Sequence, residues 1–315
     1  MESDIDGDGH IALVFSPVTN ETAVAFFSGC DLKKMVGCPS SNAGEFLYLT
    51  PPNAIKPPYN TPNAIKEILA HELAHLVHFN RKVLRNSAGS PSDSGYMNEG
   101  MGAFAQDAIG PQSGNLYVAK AGLDQIAEMS LGDVFVDDTP YDMARDGVMR
   151  GGAYLFVRWL YDRAGGDTAK ADGTIEGKGG PAFLRAVLEA PESVAGALPG
   201  KTKSTLADLG VDFYTALVMS NREAGGGAPP ANPCFSYLPV QNDPVTGKPR
   251  GADVFASFHG SQMTGPATTR TTSGKLLAGG VTYAIVAAPT GQTELDIGVT
   301  IDPAALPRVR IGRVH

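Results

Sequence analysis

Thr61-Pro62-Asn63-Ala64-Ile65-Lys66-Glu67-Ile68-Leu69-Ala70-His71-Glu72-Leu73-Ala74-His75-Leu76-Val77-His78 decides how the rest of this 315-residue chain is read. Thr61 is a good N-cap and Pro62 suits the first helical position. From Ala64 to Phe79 there is no Gly or Pro, so the stretch predicts a helix over residues 62–84. Ile65, Ile68, Leu69, Leu73, Leu76, Val77 and Phe79 cover most of its circumference, which predicts burial on nearly all sides. His71 and His75 are four residues apart and share one helix face. Their imidazoles would reach one Zn²⁺, with Glu72 beside the metal's open position, where it can take a proton from bound water. Buried polar groups without partners are costly, and a metal would satisfy all three. His78 lies a further turn along. A third helical residue at that spacing sits too far along the axis to join a tetrahedral ion, so a supporting or structural role is expected for it.

The third ligand decides which kind of site this is. In the extended pattern HExxHxxGxxH, the Gly position here holds His78 and the last His position holds Arg81, so that pattern fails. The alternative is a Glu on a second helix. Glu99, 24 residues after His75, lies in Gly95-Tyr96-Met97-Asn98-Glu99-Gly100-Met101-Gly102-Ala103-Phe104. Ser87 to Ser94 is rich in Ser, Gly, Pro and Asp and reads as a loop, and an antiparallel return after it would carry Glu99 to the metal. The competing reading is a solvent-facing carboxylate at a helix start, where negative charge is favoured anyway.

HExxH followed by an Asn-Glu-Gly helix resembles the gluzincin arrangement, and more of the chain resembles the hyicolysin family of secreted zinc metallopeptidases. Ile11-Ala12-Leu13-Val14-Phe15-Ser16-Pro17, after an Asp-rich turn, is similar to that family's opening strand. Ser41-Asn42-Ala43-Gly44-Glu45-Phe46-Leu47-Tyr48-Leu49 is similar to the strand before its active helix, and Gly152-Ala153-Tyr154-Leu155-Phe156 to a helix after its metal site. Tyr96-Met97 stand where Trp-Leu is common, and Arg150 where an aromatic is common. The resemblance covers residues 4–222. It implies a zincin-like α+β fold, one Zn²⁺ held by His71, His75 and Glu99, catalysis through Glu72, polypeptide substrates and a secreted protein.

Composition is compatible with that. A formal charge of −8 argues against a nucleic-acid partner, and 43% hydrophobic residues suffice for a core. With Gly at 38, Pro at 23 and charged residues at 18%, a loop-rich extracellular protein is a better match than a cytosolic enzyme. No run of 18 apolar residues occurs, so no membrane partner is expected. The first residues lack the basic and apolar stretches of a signal peptide while a strand starts almost at once, so an upstream segment is expected. The alternation at Val309 to Val314 stops abruptly, so continuation is expected there too. Of three cysteines, Cys30 and Cys38 flank a short loop and are the expected disulfide, with a pairing to Cys234 or free thiols as alternatives.

Residues 10–17, 22–28 and 45–50 read as strands of an N-terminal, mostly antiparallel sheet. Helices are expected at 62–84, 98–109, 116–129, 150–164, 181–190 and 205–221, a helical lobe carrying the metal site. Gly165 to Gly180 reads as a loop. The expected units are a metallopeptidase domain over 1–222, a linker over 223–249 and a β-rich segment over 250–315, with strands at Thr282 to Ala287 and Glu294 to Ile301. Asp4-Ile5-Asp6-Gly7-Asp8-Gly9-His10-Ile11 matches the first half of an EF-hand loop, but the twelfth position is Phe15 instead of Glu. A solvated turn is therefore favoured over a Ca²⁺ site.

The expected chemistry is zinc-dependent peptide hydrolysis, with Glu72 passing a proton from water to the leaving amine. Asp107, two turns after Glu99, is a candidate to orient a ligand His, or a plain solvent-facing Asp. Glu45 to Thr50 is the candidate edge strand for an extended substrate. Two other readings stay open: a zinc hydrolase of non-peptide substrates, and a secreted non-catalytic binding protein with an inactive zinc site. Oligomeric state is not legible.

Overall fold

The computed structural model describes residues 4–21, 23–33, 38–84, 93–110, 115–125, 129–136, 145–220, 230, 232–254, 279–283, 289–292, 294, 296–298, 300 and 308–312. The class is α+β. Three short strands open the chain: β1 (Ala12–Phe15), β2 (Ala25–Phe27) and β3 (Phe46–Leu49). Their order is β1-β3-β2, with β1 parallel and β2 antiparallel to β3. The sheet is therefore mixed, where a mostly antiparallel one was expected. Burial explains the order. Leu47 and Leu49 of β3 are buried, so β3 takes the centre, while Leu13 and Phe15 of β1 are exposed and suit an edge. The long connection from β2 to β3 allows β3 to enter between the other two, and the Cys30–Cys38 disulfide closes part of it, with Cα atoms 5.5 Å apart.

α1 (Pro62–His78) starts as the sequence predicts, with the Thr61 side chain accepting the Ala64 N–H at 3.2 Å. Phe79–Leu84 continues it as π-helix. The wider turn carries Lys82 into the interior, where Nζ donates to the carbonyls of Val187, Ala190 and Glu192. α1 is not buried all round. Leu73 and Val77 are 39% and 37% exposed, because the sheet and the next helix cover only two of its sides.

α2 (Gly95–Ala108) begins three residues before the expected start, because Ser94 caps it by accepting the Met97 N–H at 3.0 Å. α3 (Asn115–Asp124), α4 (Leu131–Phe135) and α5 (Asp146–Arg163) follow. α5 is the axis of the lobe, with Phe156, Trp159 and most of its residues buried. Its neighbours approach through small residues. A Cβ at Gly100 would lie 2.7 Å from the Ala153 backbone, and one at Gly151 would strike the Val118 carbonyl at 2.0 Å.

The loop expected at 165–180 contains a hairpin, β4 (Asp167–Ala169) and β5 (Ile175–Gly177). α6 (Gly180–Leu188), α7 (Val194–Thr202) and α8 (Leu206–Met219) complete the helices. The stretch expected to be a linker is, over its described residues, packed. β6 (Gln241–Asn242) and β7 (Pro249–Arg250) pair with each other, and Tyr237 joins the main core. Arg250 anchors this stretch. Its guanidinium pairs with Asp167, which also accepts the Tyr161 hydroxyl, and its Nε donates to the Ala108 carbonyl at 2.6 Å. Beyond Arg250, the described residues carry no strand; of the two strands expected there, residues 282–283, 294, 296–298 and 300 are described and are irregular, and the other half lie outside the described residues.

Two apolar clusters result. The smaller joins sheet and α1 through Ala25, Leu32, Leu47, Leu49 and Leu76. The larger surrounds α5 and takes Tyr96, Met97, Met101, Ala103 and Phe104 from α2. α1 and α2 meet along the seam between them. No helix of the described residues is long and apolar enough to cross a membrane.

Candidate metal centre

The seam brings together His71 and His75 of α1 and Glu99 of α2. His71 Nε2 lies 3.2 Å from Glu99 Oε2, and His75 Nε2 lies 3.6 Å from Glu99 Oε1. The three donor atoms lie within 4.8 Å of one another. Around a tetrahedral ion with bonds near 2.1 Å, donor atoms sit about 3.4 Å apart, so the spacing fits zinc.

The far side of each imidazole is also fixed. His71 Nδ1 is 3.2 Å from Gln106 Oε1, and His75 Nδ1 is 3.1 Å from Asn98 Oδ1. An amide oxygen only accepts, so each Nδ1 must carry the proton. In the neutral form, each Nε2 then presents its lone pair to the Glu99 carboxylate. Acceptors directed at acceptors repel unless a proton or cation lies between them. Glu99 Oε2 is buried without a well-aligned hydrogen bond, although Arg150 Nη2 is 2.8 Å away. The donor set of two imidazoles and a carboxylate could hold a zinc ion.

Titration behaviour reflects this crowding. Burial works against a charged His71, but the hydrogen bond and charge of Glu99 outweigh it and raise its pKa. Burial and the neighbouring His71 push His75 down to about 4. Burial would raise Glu99, yet the His71 hydrogen bond and the charges of His71 and Arg150 hold it below the ordinary carboxylate range. Both shifts favour a proton on His71 and an ionised Glu99. Glu72 is raised, chiefly by burial and then by the charge of Glu99, while His71 and the Phe27 backbone N–H oppose the rise.

α2 supplies much of the site. Glu99, Gly102 and Gln106 follow i, i+3, i+7 spacing and share one face. Gly102 lies directly against the His71 ring, where a Cβ would come within 2.6 Å of Cε1. Sequence reasoning missed Asn98, Gly102 and Gln106 as parts of the site, although the facial spacing was present. It left Asp107 as either an orienting partner or a solvent-facing carboxylate. The structure corrects both: Asp107 is buried on another side of α2, bonded to Arg158 at 2.8 Å and to the Gly251 N–H at 2.9 Å. Arg150 was also missed. It comes from α5, and its Nε lies 2.9 Å from Asp146. His78 takes a supporting role, with Nε2 2.7 Å from Asp93 just ahead of α2.

β2, not β3, is the sheet edge next to this site. α1 packs against β2, whose Phe27 N–H faces Glu72. β3 is hydrogen-bonded on both sides and cannot accept another strand. No protein-family model and no curated protein matches the chain.

Proposed function

We propose that the chain is a zinc-dependent endopeptidase with a zincin-like fold, of the gluzincin kind and similar to the hyicolysin family, acting outside the cell. The observation that carries this reading is the convergence of His71 Nε2 and His75 Nε2 on one carboxylate, with Glu72 on the same helix. His71, His75 and Glu99 would hold the ion. Zinc bound there would supply a water of lowered pKa and polarise a scissile carbonyl.

The chain's own residues would do the rest. Gln106 and Asn98 keep both imidazoles in the tautomer with Nε2 free. Arg150 holds Glu99 ionised and in place. Glu72, its pKa raised by burial, takes a proton from water and returns it to the leaving amine. The outer edge of β2 gives an extended polypeptide a strand to pair with, next to Glu72. The Cys30–Cys38 disulfide supports an oxidising compartment.

The test is zinc content together with casein hydrolysis, with and without chelator. Wild type is expected to carry one zinc and to lose activity on chelation. Glu72→Gln should keep the zinc and lose most turnover, because an amide cannot accept the proton. Glu99→Ala should lose the zinc. Full zinc occupancy of Glu99→Ala at undiminished affinity, or undiminished hydrolysis by Glu72→Gln, contradicts the assignment.

A further inference from the structure

The turn ahead of β1 brings Asp4, Asp6 and Asp8 together, with a carboxylate oxygen of each within 4.8 Å of the others. Such a cluster on a surface carries little meaning alone. Here it meets a buried acid from elsewhere in the chain. Glu45, the residue before β3, is only 2% exposed. Its Oε1 accepts the backbone N–H of Ile5 at 3.1 Å, between Asp4 and Asp6. Its Oε2 is buried and has no hydrogen-bond partner, and Oδ1 of Asp4 is in the same condition. Gly44 brings the two segments close: a Cβ there would lie 2.9 Å from Asp6 Oδ2. Two buried carboxylate oxygens without donors, beside the exposed carboxylates of Asp6 and Asp8, form a concentration of negative charge that a cation would compensate. Burial, and after it the charges of Asp6 and Asp4, raise the Glu45 pKa accordingly.

We propose that Asp4, Asp6, Asp8 and Glu45 form a calcium site, with Glu45 supplying from β3 the acidic ligand that the loop's own twelfth position, Phe15, lacks. Calcium takes six to eight oxygens at 2.3–2.6 Å, so oxygens on opposite sides of one ion stand about 5 Å apart, and the aspartate spacing falls inside that span. His10 is the nearby imidazole, 3.6 Å from Asp8 on the exposed side, and the oxygen-only set around Asp4, Asp6 and Glu45 favours a hard cation. The site is distinct from the His71, His75 and Glu99 group and does not rest on the peptidase reading. Its structural consequence is local. The Glu45 carbonyl accepts the Ala12 N–H at 2.8 Å, at the start of the parallel β1–β3 pairing, and Ile5 and Ile11 pack on the smaller apolar cluster. An ion here would clamp the N-terminal turn to the central strand of the sheet.

The full chain, stripped of metals on chelating resin, is titrated with CaCl₂ and separately with MgCl₂ by calorimetry, and melted with and without calcium. Wild type should bind one calcium per chain with a Kd on the order of 10⁻⁴–10⁻³ M, and magnesium at least tenfold more weakly. Glu45→Gln keeps the acceptor for Ile5 and should weaken calcium binding at least tenfold. Its melting behaviour should change sign with the ion: at or above wild type without calcium, because a buried charge is removed, and below wild type with it. Asp8→Asn alters an exposed residue, leaves the fold intact and should also weaken binding. His71→Ala should bind calcium as wild type does. No saturable calcium binding by wild type overturns the site. Unchanged binding in Glu45→Gln overturns the role of Glu45, and loss of calcium in His71→Ala overturns the separation from the other metal centre.

Discussion

Gly102→Ala separates the metal centre from the fold. The added Cβ would stand 2.6 Å from Cε1 of His71, 2.8 Å from Nδ1 and 2.9 Å from Nε2, so it meets the whole ring edge. Ordinary contact begins at 3.4 Å, so the ring must retreat by about 0.8 Å. A metal–ligand distance tolerates only about 0.2 Å of displacement. The retreat also strains the 3.2 Å contact with Gln106 that fixes the tautomer. Loss of an orienting partner costs about 10–100-fold in metal affinity, or about 1.4–2.7 kcal/mol, and the same range is expected here. The fold should not suffer. The clash is with the end of one side chain, and replacing a helical Gly gains up to about 1 kcal/mol of helix propensity. Gly100→Ala is the counterpart. Its Cβ would meet the Ala153 backbone at 2.7 Å, which cannot swing aside, so it should destabilise by about 1–3 kcal/mol. Zinc affinity is measured by competition with a chromophoric chelator, and stability by urea unfolding of the metal-free protein. Wild-type zinc affinity in Gly102→Ala refutes the close approach of α2 to His71.

The raised pKa of His71 gives a pH-dependent proton count. At pH 6.5 and below, metal-free His71 is mainly protonated, so zinc binding should release about one proton, falling toward none as pH rises through the raised pKa. His75, pushed down to about 4, and Glu99, held below its usual range, are already deprotonated there and release none. Calorimetry in buffers of different ionisation enthalpy reads the count, and the absence of release at pH 6 contradicts the pairing. The Cys30→Ser/Cys38→Ser variant should lose roughly 2–3 kcal/mol of stability, the chain-entropy value for a loop this short, while keeping its zinc. Thermal melts and metal analysis check both, and an unchanged melting temperature contradicts the structural role.

The parts legible in the sequence are those that depend on local spacing. The cap at Thr61, the i, i+4 imidazoles and the Glu99 donor on the next helix each follow from a few neighbouring residues, while residues 87–92 of the loop expected between the two helices lie outside the described residues. The parts that were missed depend on which face meets what. Val77 and Leu73 read as core, but an apolar pattern does not record that only two sides of α1 are covered. Asp107 and Gln106 are adjacent, and only the orientation of α2 decides that Gln106 faces His71 while Asp107 faces Arg158. The strand order was equally hidden, since alternation gives a strand but not its position in the sheet. The stretch read as a linker, 223–249, is tied down at its far end by Arg250, whose partner Asp167 lies 83 residues away, and no window along the chain contains that pair. α7 was missed because Pro199 lies inside it.

The placement of the donors across the seam has its own consequence. Two come from a helix packed on the sheet cluster, and one from a helix packed in the α5 cluster. The set is complete only when the clusters are docked. Docking without a metal directs both Nε2 lone pairs at a carboxylate, and one proton on His71 relieves only one of those encounters. An ion relieves both. Under the zinc reading proposed above, metal binding and closure of the seam would be linked in the same free energy. The other ties across the seam, His78 to Asp93 and Lys82 to the carbonyls of Val187, Ala190 and Glu192, involve none of the three donors. They hold α1 and its extension against the helical lobe in the metal-free chain, so that an ion would meet donors already at the right spacing.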